Sequence, residues 1–457
     1  MQDLTKGSPA KLIVMFTLPI IVGYLFQNLY NIIDTLIVGQ TLGVKALAAV
    51  GSTGAIMFLS LGFVGGFTSG MSILTAQRYG AKDMEGVKRS FGQSIVAAVV
   101  VTFFLTLVGV IGLRPLLILM QTPKPIFEMA HAFILVIWGG IVSQVGYNVL
   151  ANAMRAVGNS RAPLYHLILG MVINVILELV FILVFHWGTA GAAFATVVAY
   201  LISTLTSWWH IHRYVPALHL SRADLKWDRR EVRAHLSAGL PMGFQQSIIA
   251  IGSITLQAAV NSLGTDSVAG YTAGSKVDQI LVLVLMSFGV TMATYVAQNY
   301  GAGEFRRIII GMKRVLQISI GSAIVLGILE IAFGHYLVNL FLNEAGGQAH
   351  VVKQLSQVYF WANGPFYAIL AVLFVLRYAL QGLGDTKTPT MAGIGEMVMR
   401  SVAAFTLVVW LGFFGASFSN PLAWMASVSF LVPAWIKFHR KIVKQLADDV
   451  IAKVVNE

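Results

Sequence analysis

Phe91-Gly-Gln-Ser-Ile-Val-Ala-Ala-Val-Val-Val-Thr-Phe-Phe-Leu-Thr-Leu-Val-Gly-Val-Ile-Gly-Leu113 carries no formal charge from end to end. A helix rises about 1.5 Å per residue and the bilayer hydrocarbon is about 30 Å thick, so about 20 apolar residues cross it. This stretch is long enough to span and too apolar for a water-facing helix. Reading outwards from it finds eleven more: 12–39, 47–75, 126–150, 164–186, 190–212, 237–262, 270–297, 315–340, 354–376, 390–412 and 418–437. Composition agrees. Of 457 residues, 57% are hydrophobic and 11% charged, with mean hydropathy +0.77. A soluble domain carries about 25% charged residues. The expected fold is therefore an all-α polytopic membrane protein of twelve transmembrane helices. The first stretch follows Met1–Lys11 without a small-residue cleavage site, so it reads as a spanning helix and not a cleaved signal.

The longest polar interruption, 213–236, falls near the middle of the chain. It sets an N-terminal six-helix bundle at 1–212, a cytoplasmic linker at 213–236, a C-terminal six-helix bundle at 237–437 and a cytoplasmic tail at 438–457. With the N-terminus cytoplasmic, 25 of the 31 lysines and arginines fall in inside segments, Arg377 and Lys387 among them. Only Lys45, Arg114, Lys124 and Lys353 fall in outside loops, and Lys276 and Arg400 lie within helices. This bias follows the positive-inside rule. It also accounts for the formal net charge of +12 through topology and anionic lipid, without nucleic acid. The absence of cysteine excludes disulfides, thiolate metal sites and cysteine nucleophiles. No His-Glu-x-x-His or Gly-x-Ser-x-Gly occurs, and His210 and His212 lie at a helix end, so no enzyme is expected.

The two halves repeat. Ala76-Gln-Arg-Tyr-Gly-Ala81 recurs as Ala297-Gln-Asn-Tyr-Gly-Ala302, and Thr41-Leu-Gly43 as Ser262-Leu-Gly264, both at a shift of 221. Leu18-Pro19 matches Leu240-Pro241. Arg155-Ala-Val-Gly-Asn-Ser-Arg-Ala-Pro163 recurs as Gln381-Gly-Leu-Gly-Asp-Thr-Lys-Thr-Pro389 at a shift of 226. Six helices per half give the halves the same orientation, hence pseudo-symmetry about an axis along the membrane normal. In the repeated turn, Ser160 or Thr386 is placed to cap the next helix, with Pro163 or Pro389 in its first turn. Two such bundles suit transport by alternating access.

Ionisable groups inside hydrocarbon are costly and mark function. They are Asp34, Glu178, Lys276, Asp278, Glu330, Glu396 and Arg400. Gln27, Asn31 and Asp34 share one face of the first helix, with Tyr30 on a neighbouring stripe. Asn174 and Glu178 are one turn apart in the fifth helix, and Thr196 of the sixth adds a hydroxyl. A pair of acids that is neutral when occluded and ionised when wet is a proton carrier; the same oxygens would suit sodium. Gln27, Tyr30, Asn31, Gln257, Lys276 and Asp278 are the candidate substrate-cavity residues, although Lys276 and Asp278 would equally fit the headgroup level. Glu396 and Arg400, at i,i+4, read as a structural ion pair. Glu330 has no assignment. Pro19 and Pro241 interrupt helices one and seven, as hinges or as fixed bends.

Taken together, Pro19 with Gln27, Tyr30 and Asp34, the paired Ala-Gln-x-Tyr-Gly-Ala loops and the paired Gly-(Asn/Asp)-(Ser/Thr)-x-x-Pro turns resemble the multidrug and toxic compound extrusion (MATE) transporters, over nearly the whole chain. Within that family the chain is most similar to the DinF-like branch. The resemblance implies a network of Asp34, Asn174, Glu178 and Thr196, with Glu178 where the family usually has Asp. It implies export of amphiphilic, often cationic small molecules in exchange for protons or sodium, with no cofactor beyond the coupling ion, and a helix one that bends at Pro19. The NorM-like branch carries acids in helices seven and ten; both are absent here. The alternative is a flippase for lipid-linked precursors, against which stand the twelve helices and few intramembrane bases. The expected setting is a bacterial plasma membrane, with both termini cytoplasmic, lipids as neighbours and a monomeric chain.

Overall fold

The computed structural model describes residues 2–339 and 348–456, with side chains described for 2–339 and 349–446. It contains fifteen α-helices and, among the described residues, no strand. They are α1 (Pro9–Leu42), α2 (Val44–Ser52), α3 (Gly54–Gly80), α4 (Met84–Leu119), α5 (Lys124–Gly139), α6 (Ile141–Ala156), α7 (Arg161–Leu179), α8 (Gly188–Tyr214), α9 (Arg229–Asn261), α10 (Thr265–Gly301), α11 (Phe305–Asn339), α12 (Gln348–Asn363), α13 (Tyr367–Gly382), α14 (Lys387–Phe405) and α15 (Leu407–Asn456). All twelve apolar stretches are mainly helical, with non-helical residues only at breaks and ends; residue 340 lies outside the described residues. Fifteen helices serve twelve stretches because several are broken. The second is split at Thr53, and the fourth bends by 45° at Gly140 between α5 and α6. The tenth breaks into α12 and α13 at a 3₁₀ turn, Gly364–Phe366. Within α15 the backbone leaves the helix at Gly412 (φ +55°), which is the turn between the eleventh and twelfth stretches.

Among the described residues, nine helical segments are individually long and apolar enough to cross a membrane, and the bent α5–α6 pair makes a tenth. The two stretches that fall short are α9 and α14. The first carries Gln245, Gln246, Ser253 and Gln257; the second carries Glu396 and Arg400. Each gives up apolar length to a polar face, which in a membrane must be turned towards protein or water.

The chain packs into two compact units. One comprises Met1–Asp3 and Leu18–Gly243; the other comprises Leu4–Thr17 and Phe244–Glu457. In the first, Phe63, Phe67 and Met71 of α3 pack with Phe91 of α4 and Val145 and Met154 of α6. The segment between α8 and α9 is docked on this unit. The Gln93 amide donates to the carbonyls of Asp224 (2.8 Å) and Lys226 (2.6 Å) and accepts from the Asp228 N–H (3.1 Å). Arg78, of the first repeated loop, forks onto both oxygens of Glu231. In the second unit the other copy of that loop holds the N-terminal segment: Gln298 accepts from the Leu4 N–H, and Asn299 and Arg307 donate to its carbonyl. In this unit α10 packs on α11, α12 and α13. Gly289 of α10 lies against the Tyr378 ring, and Gly382 of α13 lies on the Ala293 carbonyl. Small residues let helix backbones approach closely, the usual device of membrane bundles. The matched Gly43 and Gly264 both adopt positive φ, +81° and +96°, at the turn into the next helix, which explains the repeated Leu-Gly.

Two sequence expectations are corrected. Ser160 and Thr386 precede α7 and α14, but their backbones are already helical and their hydroxyls cap nothing. An N-cap side chain needs an extended backbone to reach the free N–H groups. The residue before each does the capping: Asn159 accepts from the Ala162 N–H and Asp385 from the Thr388 N–H. Arg377, counted as a loop charge, is instead 5% exposed and bonded to Glu396.

A Cβ at residue 382 would fall 2.5 Å from the Ala293 carbonyl oxygen, whereas one at Gly321 of α11 meets open space. Gly382→Ala is expected to cost about 1–3 kcal/mol through overpacking, and Gly321→Ala nothing, read as melting temperatures in detergent. The Arg89 guanidinium holds the Asp228 carboxyl below the usual carboxylate range. A depressed folded pKa contributes stability above the ordinary value of about 3.9 and loses it as pH falls through the depressed one. Hydrogen exchange in 224–231 is therefore expected to show constant protection across neutral pH and to lose it only in strong acid.

Candidate functional site

The first unit gathers its membrane-embedded acids at one node. α7 and α8 pack side by side, and α7 passes into a π-helical turn, Val180–Val184, immediately after its last residues. Such turns are frequent at functional sites. Glu178 lies just before that turn and Asn174 one turn earlier, both fully buried. The Thr196 hydroxyl of α8 receives the Asn174 amide (3.2 Å) and the Tyr30 hydroxyl (3.0 Å), and donates to the Ala192 carbonyl (3.2 Å). One O–H and two lone pairs are thereby used in full, which fixes Tyr30 as a donor.

Asp34, one turn beyond Tyr30 on α1, lies beside Glu178. Around this pair, Asp34 Oδ1, Asn174 Oδ1 and both Glu178 oxygens have no hydrogen-bond partner among the described residues. A buried polar atom left unmatched costs about 1–3 kcal/mol, and more when charged. The protein thus gathers acceptors and withholds donors, which suits a bound cation or an added proton.

The remaining expected residues separate. Gln27 meets the Tyr200 hydroxyl together with Gln144. Asn31 is exposed, and its carbonyl accepts from Thr35. Tyr200 and Gln144 were missed in the sequence. The signal for Tyr200 was its place one turn after Thr196; Gln144 lies just past the Gly140 break, where helical spacing cannot be carried across.

In the second unit, the Gln257 amide donates to Asn261 (3.0 Å). Asn261, Thr265, Thr272 and Lys276 line an open cavity of about 710 Å³. Asp278 turns away from it into the protein. It accepts from Tyr359 (3.1 Å) and from Tyr367, both of the broken tenth span. Glu396 and Arg400 are 3.7 Å apart, with Arg377 as a second partner of Glu396 and Ser427 bonded to Arg377. The expected pair is a buried triad. The missed member, Arg377, had been assigned to a loop by its position near the end of an apolar stretch.

The MatE family model matches this chain over two segments, residues 19–180 and 241–406, one in each half of the sequence. The chain belongs to the MatE family. Its MatE relatives include the probable multidrug resistance protein YpnP of Bacillus subtilis (strain 168), 28% identical over 90% of this chain and 91% of that protein. The DNA damage-inducible protein F of Escherichia coli (strain K12) is 24% identical over 91% and 88%. Among solved MatE folds, a MATE crystallised in the bent conformation superposes with a TM-score of 0.88 at 21% identity, covering 97% of this chain and 98% of the other. The resemblance expected from Pro19, the paired loops and the paired turns is borne out. This MatE protein is a multi-pass membrane transporter of the multidrug efflux family and not an enzyme.

Thr196→Val keeps the side-chain volume but strands the Tyr30 and Asn174 donors. It is expected to lower stability by about 1–3 kcal/mol, with Thr196→Ser close to wild type, measured by thermal unfolding of the purified protein.

Proposed function

We propose that this chain is a cation-coupled antiporter that exports amphiphilic, often cationic compounds by alternating access, with Asp34 and Glu178 holding the coupling ion. The observation that carries the reading is the set of four unmatched acceptor oxygens on Asp34, Asn174 and Glu178. A proton is the preferred ion, because one proton between two adjacent carboxyls gives each a partner and needs no further ligand. Sodium is the second choice at the same oxygens. Ionised, the pair attracts a cationic substrate; loaded, it no longer does, and substrate is released. Tyr30 and Thr196 position the pair. Gln27, Asn31, Gln257 and Lys276 serve the substrate path.

Pro19 is the hinge in this scheme. It lies inside α1, and the chain passes from the second unit to the first just before it, between Thr17 and Leu18. A proline breaks the helical ladder at that point and lowers the cost of bending there. A relative's fold is known in a conformation described as bent. The protein works as a monomer in a bacterial plasma membrane, with both termini cytoplasmic, the side that collects most of its lysines and arginines.

The test is dye efflux from proteoliposomes under an imposed pH gradient, then under a sodium gradient. A pH gradient is expected to drive wild type, and Asp34→Asn and Glu178→Gln are expected to fall to the level of empty vesicles. If Asp34→Asn exports normally, the coupling site lies elsewhere. If sodium alone drives export, the ion changes and the site stands.

A further inference from the structure

The second unit contains a buried acid that the scheme above does not use. Glu330 of α11 is 1% exposed, and neither of its carboxyl oxygens has a hydrogen-bond partner among the described residues. Helix packing shows where it points. Gly327, one turn before it, rests on the Gly364 carbonyl, and Gly334, one turn after, lies on the Phe360 ring. Glu330 therefore faces the break between α12 and α13, where Tyr359 and Tyr367 stand. Gly274, one turn before Asp278 on α10, lies against that same Tyr359. Four helices, α10 to α13, thus deliver Asp278, Glu330 and the two tyrosines to one place, with Tyr367 hydrogen-bonded to Asp278 and next to Glu330.

The surroundings leave one negative charge over. Among the described residues, the buried carboxyl and guanidinium groups of this unit are Asp278, Glu330 and Glu396 against Arg377 and Arg400. Glu396 engages both arginines. Arg400 acts on Asp278 through its charge and through a relay: it donates to Asn420 (3.3 Å), Asn420 to the Tyr359 hydroxyl (3.3 Å), and Tyr359 to Asp278. Tyr271 adds a neutral hydroxyl near Asp278. No base remains for Glu330, and an isolated buried carboxylate is costly.

The fold does not require these groups. At the repeat shift of 221, Asp278 and Glu330 correspond to Met57 and Gly109; at 226, Tyr359 and Tyr367 correspond to Phe133 and Ile141. The structural registers agree, since the helix break at Gly140 maps onto Phe366. The first unit fills the same position with apolar residues, Met57 and Phe133 packed in one cluster and the Trp138 ring lying over Gly109. A position that packs well with apolar side chains in one copy and carries two acids in the other points to a ligand. An interrupted helix inside the membrane is a usual frame for one.

We propose that Glu330 and Asp278, bridged by Tyr367, form a second site for one monovalent cation, either a proton or sodium. It lies on helices eight and nine, not on helices seven and ten, which carry the acids of the NorM-like branch. It is separate from the Asp34–Glu178 pair and stands whether or not that pair couples export.

The test uses the full-length Asp34→Asn/Glu178→Gln protein in detergent, so that the first pair is silent. Binding of radioactive sodium is measured at alkaline pH, and carboxylic-acid infrared bands are followed in a sodium-free pH titration. One saturable sodium per chain, or one titrating carboxyl band, is expected to remain and to disappear in Glu330→Gln, while the exposed acid change Glu304→Gln keeps it. Sodium binding identifies the ion as sodium; a titrating band without sodium binding identifies it as a proton. Tyr367→Phe, which retains both acids, is expected to weaken the signal about tenfold through loss of one hydrogen bond to a charged group. The proposal is overturned if the double variant shows neither signal, or if the signal survives Glu330→Gln and Asp278→Asn in folded protein.

Discussion

Inside a bilayer no water is available to satisfy a polar group, so each one must find its partner within the packed helices. That constraint organises this molecule. It explains why Thr196 uses every bond its hydroxyl can make, and why Glu396 lies between two arginines. It also gives meaning to the exceptions. Among the unmatched buried atoms, the carboxyl and amide oxygens of Asp34, Asn174, Glu178 and Glu330 fall at the two acid sites. Leaving them open is a property of the sites they form.

The helix breaks serve the same end. A continuous helix uses its own carbonyls and presents only side chains to a neighbour. The π-helical turn after Glu178 and the 3₁₀ turn at Gly364–Phe366 interrupt that regularity beside the two acid pairs. Close glycine contacts keep the interrupted helices in place. Gly327 against Gly364 brings α11 to the break itself, which puts Glu330 within reach of Tyr367.

Much of this could be read from the chain. The twelve apolar stretches coincide with the helical parts of the chain, several of them broken, because hydrophobic length is a direct physical requirement of the bilayer. Asn174 and Glu178 were legible as neighbours because helical spacing places them on one face, while their grouping with Asp34 and Thr196 was what the resemblance to MATE transporters implied. What escaped depended on tertiary packing. Arg377 resembled a loop charge because its partner Glu396 lies nineteen positions away on another helix. Tyr359 and Tyr367 carry no signal in the sequence, because what joins them to Asp278 is the packing of separate helices. Capping moved by one residue because the backbone at Ser160 and Thr386 had already entered the helix, which residue type alone does not report.

The two compact units do not coincide with the two halves of the sequence. Leu4–Thr17 belongs with the later half, held by Gln298, Asn299 and Arg307, while the start of α9 belongs with the earlier half, held through Glu231 by Arg78. Each half lends the other the beginning of its first helix. During synthesis the amino-terminal segment emerges hundreds of residues before the groups that will hold it. The ribosome must therefore pass the middle of the chain, through Gly243, before the first unit has all its residues, and the second unit waits for the later half although its first residues are made at the start.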